Sequence, residues 1–403
     1  MNETPSRTAY VNVILAATSF LLCSWAWGLI SPLGGRLGTA LHLSSFQQSL
    51  LVAVPVLVGS LGRIPVGALT DRLGAKVMLP AICFLTILPV LALIPAYDSY
   101  PALLVVGFFL GLGGTPFAAA IPHGNGWFPP ARRGFALGVI GMGMGGTAIA
   151  ALLTTPMLDH FGRNAQFVLV AIVLAVFGLI LLAVLRDPPG RTPPATSFAQ
   201  RFGTAARQPM TWPLSGLYAI TFGGYVAFAV YLVTYLQTAY GLEPNDASLK
   251  AAGFTLVAVV LRPFGGSLSD RIGPARVLTG CLVVVTAMAL WQSFQPSLYP
   301  WATITFLTMA GALGAGAGAV FALVSQVTAK DQIGSVTGIV GAVGGLGGFV
   351  PPLVMGAIHG ITGSYALGLV LLAIVAFAGL AYSWFLVRRP TPATPAPRRP
   401  AAP

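Results

Sequence analysis

Arg63-Ile-Pro-Val-Gly-Ala-Leu-Thr-Asp71-Arg72-Leu-Gly74 and Arg262-Pro-Phe-Gly-Gly-Ser-Leu-Ser-Asp270-Arg271-Ile-Gly273 are two versions of one phrase, 199 positions apart. In each copy the leading arginine lies inside a stretch that otherwise reads as a membrane-spanning helix, and the aspartate follows eight residues later. A charge at bilayer depth costs roughly 2.5–3.5 kcal/mol on insertion scales, so its presence points to a function. Two such charges at matched places in two halves point to a pair of cations facing one central site.

The composition agrees with a bilayer setting. The chain has 403 residues, 56% hydrophobic and 7% charged, whereas a soluble domain carries about 25% charged residues. A span needs roughly 20 apolar residues. Twelve stretches qualify, at about 10–31, 46–69, 77–95, 102–124, 134–157, 165–185, 211–239, 248–268, 277–294, 298–326, 334–359 and 364–387. Their long unbroken apolar runs predict helices rather than a barrel. The polar start Met1–Ala9 runs straight into a full-length span, so the first helix is expected to stay in place rather than be cleaved. The expected class is an all-α polytopic membrane protein.

The net charge of +12 does not point to nucleic acid, because its distribution reports orientation. With the amino terminus in the cytoplasm, sixteen Lys and Arg fall on the inner side, among them Arg7, Arg72, Lys76, Arg186, Arg271 and Arg388. Three fall outside: Arg36, Arg163 and Lys250. The positive-inside rule then places both termini in the cytoplasm. The two remaining cations are Arg63 and Arg262. Cys23, Cys83 and Cys281 lie scattered within spans and read as small packing residues rather than a disulfide or metal site. No cofactor is expected.

Residues 186–210, opening Arg186-Asp187-Pro188-Pro189-Gly190-Arg191, form the one long polar connection and read as a cytoplasmic linker. This divides the chain into a six-helix bundle over 1–185, the linker, a second bundle over 211–387, and a disordered Pro/Ala-rich tail over 388–403. The repeat extends past the arginine phrase. Gly134, Gly138 and Gly141 match Gly334, Gly338 and Gly341, and Gly111 and Gly114 match Gly311 and Gly314, all at an offset of 200. Six crossings per copy return the chain to the same side, so the two bundles are parallel repeats about an axis along the membrane normal.

The Gly-x-Leu-x-Asp-Arg-x-Gly runs Gly67–Gly74 and Gly266–Gly273 resemble the cytoplasmic loop signature of the major facilitator superfamily. Asp71, Arg72, Asp270 and Arg271 then sit at cytoplasmic helix ends, where they can bond helix termini in one conformation and release them in another. A gating or structural role is expected of them, with a simple topological anchor as the plainer reading. Span five reads Gly138-Val-Ile-Gly141-Met-Gly143-Met-Gly145-Gly146-Thr147, and span eleven reads Gly338-Ile-Val-Gly341-Ala-Val-Gly344-Gly345-Leu-Gly347-Gly348. Glycines three and four apart let helices approach closely. They also leave room for a small ligand, which makes Gly145, Gly146, Gly344 and Gly345 candidates for binding.

These seams, with the paired arginines, resemble the nitrate/nitrite porter family of that superfamily over residues 10–387. The resemblance implies that Arg63 and Arg262 bind the anion. It implies that Phe117, in Gly114-Thr-Pro-Phe117, and Phe321, in Gly318-Ala-Val-Phe321, sandwich it. It implies a span-seven tyrosine, best matched by Tyr218, with Tyr225 as the substitute. The span-five pattern of the family often carries an asparagine that contacts the anion. Met144 stands there, which leaves Gly145, Gly146 and Thr147 to supply donors.

The chemistry of the residues fits. All nine Asp and Glu fall in loops, tails or helix ends, so no carboxylate at membrane depth can neutralise the arginines, and a mobile anion would. Guanidinium presents planar forks of donors suited to a small planar oxyanion between aromatic faces. Without a buried carboxylate for proton coupling, nitrate/nitrite exchange is the first mechanism expected and proton-coupled nitrate symport the second. His123 is read as packing near the inner end of span four, with a transport role as the alternative. An organic-anion or drug exporter of the same fold is the competing transporter reading. An enzyme is disfavoured because no catalytic set, metal cluster or phosphate loop is present. The expectation is therefore a monomeric multi-pass plasma-membrane (inner-membrane) antiporter, bound by the lipid bilayer and serving nitrate assimilation.

Overall fold

The computed structural model describes residues 6–129, 133–191, 197–328 and 333–388, a few of them by backbone alone. It holds twelve helical spans, numbered here in chain order: Arg7–Ala40, Ser45–Leu73, Ala75–Ala96, Tyr100–Trp127, Ala136–Phe161, Ala165–Val184, Thr211–Tyr240, Pro244–Ser269, Pro274–Ser293, Leu298–Val324, Ser335–Thr362 and Ala366–Leu386. Leu88, Val105, Ile172, Leu179 and Phe377 are exposed on the outside of the bundle. Such an apolar outer surface, on helices long enough to cross a bilayer, fits a hydrocarbon surrounding.

The fold is two pseudo-symmetric six-helix bundles, and its internal contacts come in matched pairs. Within the first bundle, span two packs on span four where Gly114 meets the Gly59 backbone. In the second, span eight packs on span ten where Gly314 meets the Ala258 backbone. Spans three and six pair as spans nine and twelve do. Across the halves, span five lies on span eight and span two on span eleven.

Polar contacts between the halves gather at the end that carries Arg36, Arg163 and Lys250. Asp159 of span five, held by Arg36 of the same half at 2.7 Å, accepts across the halves from Asn245 of span eight at 3.3 Å. Ser45 of span two meets His359 of span eleven at 3.4 Å, and the Ser49 and Tyr231 hydroxyls meet at 3.2 Å. Ser31 donates to the Val230 carbonyl.

The repeated phrase ends in each bundle on a glycine with positive φ, 85° at Gly74 and 92° at Gly273. That conformation suits glycine and stops the helix. Arg72 and Arg271 occupy the exposed last turns, Asp71 is half-buried, and the side chain of Asp270 lies outside what is described. At this end Arg191 donates to the Thr70 and Asp71 carbonyls at 3.1 and 2.7 Å. Asp187 accepts the Lys76 N–H at 3.1 Å.

The structure adds to two sequence readings. The connection read as a plain polar linker contains a helix, Phe198–Ala206, started by a capping box between Ser197 and Gln200, a reciprocal pair that satisfies two otherwise free N–H groups. The cysteines read as scattered are not all apart: the Cys23 and Cys83 sulfurs lie 3.7 Å from one another where spans one and three pack. Sequence separation hides a contact that helix packing creates. The tail expected over 388–403 lies, past 388, outside the described residues.

A methyl group at Gly314 would overlap the Ala258 carbonyl, while one at Gly280 meets nothing. Gly314→Ala is therefore expected to destabilise the purified protein by about 1–3 kcal/mol, as overpacking does. Gly280→Ala should leave the melting temperature within error of the parent, and thermal melting in detergent checks both.

Candidate functional site

Span two breaks at Gly62 and restarts at Arg63. Arg63 is 5% exposed and Arg262 6%, so both charges lie inside the protein. Span four supplies the first anchor. Its Gly111–Gly114 segment is a 3-10 turn, and Pro116 follows. Proline has no N–H to give, and the Ala118 N–H bonds the Thr115 carbonyl. The Gly114 carbonyl thus faces sideways and accepts from Arg63 Nε at 3.3 Å. Span eleven supplies the second anchor: the Gly341 carbonyl accepts from Arg63 Nη1 at 3.0 Å. A Cβ at Gly345 would overlap the Ser60 hydroxyl and stand 3.4 Å from Arg63 Nη1, so glycine lets span eleven close on span two beside the cation.

Arg262 sits on the unbroken helix Pro244–Ile272. Its Nη2 donates to the Tyr218 hydroxyl at 2.7 Å. A Cβ at Gly141 of span five would lie 3.5 Å from Arg262 Cδ. The repeat is thereby crossed: Gly141 of the first half flanks Arg262 of the second, and Gly341 of the second half holds Arg63 of the first.

Aromatic faces cover the cations. Arg63 Cζ lies 5.0 Å from the Phe117 ring centroid and 5.3 Å from that of Phe222. Arg262 Cζ lies 4.8 Å from Phe222. Each such contact contributes roughly 0.5–2 kcal/mol. Sharing one ring puts the guanidinium carbons within about 10 Å of each other, where two like charges repel by about 2 kcal/mol at an effective dielectric near 20. Among the described residues no carboxylate pairs with them. The ion pairs there join Arg36 to Asp159, Arg163 to Asp98, Arg191 to Asp187 and Lys250 to Asp246. Asp71 and Asp270 lie eight residues along continuous helix from the arginines, about 12 Å at 1.5 Å per residue.

The ring cluster continues. Tyr218 stacks on Phe222 at 4.8 Å and 8°, across the π turn Ala219–Gly223. It meets Phe321 edge-on at 4.7 Å. Phe117 and Phe321 face each other at 6.1 Å, tilted by 42°. A planar ion between two rings needs about 3.5 Å on each side, about 7 Å in all, so binding there spreads these rings by about 1 Å.

Of the residues singled out from sequence, the structure brings Arg63, Arg262, Phe117, Phe321 and Tyr218 together, with Gly344 against the Tyr218 ring and Gly345 beside Arg63. Gly145 instead faces Val259 in the contact of spans five and eight, and Gly146 packs on the Leu21 and Trp25 backbone of span one. Met144 is buried with its sulfur 3.9 Å from the Ser24 hydroxyl, also in span one. His123 is 2% exposed, beside Trp127, and its ring nitrogens have no hydrogen-bond partner among the described residues.

Sequence reading missed Phe222, the ring both cations share, and the anchoring carbonyls of Gly114 and Gly341. Phe222 stands one turn from Tyr218 in the same span, and Gly141 with Gly341 is a matched pair of the repeat. Those two signals pointed to them. A carbonyl that faces sideways has no signature in residue type.

The donor count suits an anion. Guanidinium has five N–H groups. Arg63 spends two on carbonyls and Arg262 one on Tyr218. Because the Tyr218 oxygen accepts from Arg262, its own hydrogen remains free to donate.

The sequence profile of the Major Facilitator Superfamily matches residues 16–244 and 214–403. The chain is 46% identical over 387 residues to the probable nitrate/nitrite transporter NarK2 of Mycobacterium tuberculosis, covering 95% of this chain and 98% of that one. It is 37% identical to the nitrite extrusion protein of Bacillus subtilis, over 92% of each chain. It is 34% identical to the probable nitrate transporter NarT of Staphylococcus haemolyticus, over 89% of this chain and 92% of that one. In fold it is similar to a bacterial homologue of the human lysosomal transporter Spinster in an inward-facing, occupied conformation, with a TM-score of 0.72, 20% identity and coverage of 96% and 100%. The E. coli fucose:proton symporter FucP gives a TM-score of 0.70 at 18% identity, covering 94% of this chain and 99% of that one.

Phe222→Leu removes the shared ring while keeping the span apolar. It is expected to reduce the thermal stabilisation that small anions give the purified protein. Apparent affinity should fall about tenfold for each 1.4 kcal/mol that the cation–π interaction contributes. Melting curves against nitrate concentration measure this.

Proposed function

The chain belongs to the nitrate/nitrite porter family of the major facilitator superfamily, and from that premise we propose that it exchanges nitrate for nitrite across the cell membrane by alternating access. The observation that carries this reading is the pair of buried arginines, one from each half, with no described carboxylate to neutralise them. The names of its relatives, NarK2, the nitrite extrusion protein and NarT, support the choice of anion.

The physical cycle follows from that pair. A charged group in a dry cavity resists enclosure unless it is compensated. Without an anion, the repulsion between Arg63 and Arg262 opposes the packed state that both conformations must pass through. With an anion between them, the repulsion becomes an attraction on each side, and the halves can rock. The cycle then requires an anion in both directions of travel, which is exchange. Arg63 and Arg262 clamp the anion, Phe117 and Phe321 hold its faces, and Tyr218 donates to its edge. Gly344 lets the Tyr218 ring close on span eleven and Gly345 lets Ser60 and Arg63 do so, while Gly145 and Gly146 let span five pack closely behind. Asp71, Arg72, Asp270 and Arg271 belong to the inner gate, on the face that the charge bias places in the cytoplasm. The chain acts in the plasma membrane, as a multi-pass protein and without a cofactor.

Two measurements test the proposal. Nitrite loaded inside proteoliposomes is expected to drive nitrate uptake with no pH gradient. Uptake that follows an imposed proton gradient and ignores internal nitrite would replace exchange by proton-coupled symport. Arg63→Lys and Arg262→Lys keep the charge but lose the fork. Each is expected to insert and fold yet lower exchange by tenfold to hundredfold, the worth of about 1.5–3 kcal/mol for a hydrogen bond to a charged group. Near-parental exchange by either variant would remove that arginine from the clamp.

A further inference from the structure

Ser60 stands three residues before Arg63 on span two and is 2% exposed. Buried serines and threonines of the spans commonly turn the hydroxyl back to the carbonyl four residues earlier. Ser49, Thr70, Thr86 and Ser269 do so at 2.7 Å, which satisfies them within their own helix. Ser60 does not, and its hydroxyl has no hydrogen bond among the described residues.

The repeat shows what packing alone requires at this place. At the offset of 199 that relates the two arginines, Ser60 matches Val259 of span eight, itself 4% exposed. Their contacts match as well. Gly145 of span five faces Val259, and Gly345 of span eleven, its match at an offset of 200, faces Ser60. One copy of the contact is closed by an apolar side chain. The other carries a hydroxyl that the packing does not need and that costs stability while it is unpaired.

Geometry places that hydroxyl beside the cation. A Cβ at Gly345 would overlap the Ser60 hydroxyl while standing 3.4 Å from Arg63 Nη1. The hydroxyl and Nη1 therefore lie within about 6 Å of each other, on one flank of span eleven. An oxygen that accepts from two donors stands about 2.8 Å from each, so one oxygen bridges a pair up to about 6 Å apart. The nearby Gly341 carbonyl already accepts from Arg63 at 3.0 Å. Ser60 and Arg63 thus present two donors to one further acceptor, and the positive charge favours an anion's oxygen there.

We propose that Ser60 is a binding residue of the anion site, donating its hydroxyl hydrogen to the anion oxygen that Arg63 holds. The inference rests on the nitrate/nitrite reading above and deepens it. The first half supplies a neutral donor where the second half, with Val259, supplies none, so the anion is held asymmetrically between two otherwise matched arginines. Nitrate and nitrite both bring an oxygen to that corner, so Ser60 serves both.

The test is Ser60→Ala, which removes the oxygen and keeps the close approach of span eleven, with Val259→Ala as the matched trim in the other half. Both are compared with the parent as full-length, purified and reconstituted protein. KM and maximal rate are measured for nitrate and for nitrite, and thermal melting checks folding and reads the stabilisation that nitrate gives. Ser60→Ala is expected to raise both KM values about tenfold, from loss of a hydrogen bond to a charged group, with the maximal rate within twofold and a matching loss of nitrate stabilisation. Val259→Ala is expected to leave both KM values within twofold. KM values for Ser60→Ala within twofold of the parent overturn the proposal and leave Ser60 a packing residue. An equal rise in Val259→Ala overturns it too, because the loosened contact rather than the hydroxyl then accounts for the effect. A parent that exchanges neither anion refutes the transport reading separately, and the nitrate stabilisation of parent against Ser60→Ala still decides the part of Ser60.

Discussion

Two like charges, Arg63 and Arg262, are buried against one phenylalanine ring with no described carboxylate to balance them. Everything around them serves to make that arrangement tolerable. The Gly114 and Gly341 carbonyls take two donors of Arg63, and the Tyr218 hydroxyl takes one of Arg262. The faces of Phe117 and Phe222 offer negative quadrupole where a soluble protein would offer water. These contacts hold the guanidinium groups in place without cancelling their charge. A carboxylate in the same place would have satisfied the arginines and closed the site to any other anion.

The glycine seams follow from the same need. A carbonyl can reach a buried guanidinium only where the backbone comes close: Gly114 does so from the end of a 3-10 turn, and Gly341 from within the helix Ile333–Leu346 through the second lone pair of its oxygen. The 3-10 turns at Gly111–Gly114 and Met142–Gly145 and the π turn at Ala219–Gly223 depart from regular helix, and such departures are frequent at functional sites. Other glycines, Gly314 on Ala258 and Gly146 on Leu21, bring whole helices together. Within one seam, therefore, neighbouring glycines do different work. Gly345 stands beside a cation while Gly146 supports the wall behind.

The two halves are bound most visibly by polar contacts at one end, between Asp159 and Asn245 and between Ser45 and His359. At the other end Arg191 and Asp187 tie the linker to the turn after span two, inside the first half. Rocking the halves would have to exchange the first set of contacts while leaving the second intact. Contacts made by hydroxyls, imidazole and amide are individually modest, which suits an interface that must open.

Much of this was legible along the chain. Twelve apolar stretches announced the spans because a bilayer core demands runs of about 20 apolar residues. The duplicated phrase announced two parallel halves, and the placement of every Asp and Glu in loops, tails or helix ends announced that no carboxylate stands at membrane depth beside the arginines. Arg63, Arg262, Phe117, Phe321 and Tyr218, proposed as the clamp, were named by the resemblance to the porter family. What only the tertiary structure decided was who stands next to whom across the halves: that Gly341 holds Arg63, that Phe222 lies under both cations, that Gly146 and Met144 turn to span one, and that Cys23 touches Cys83. The reason is physical. Hydropathy and charge are properties of single residues and survive in sequence. The direction of a carbonyl or a ring depends on local helix geometry and on packing between segments far apart in the chain, and no single residue type records it.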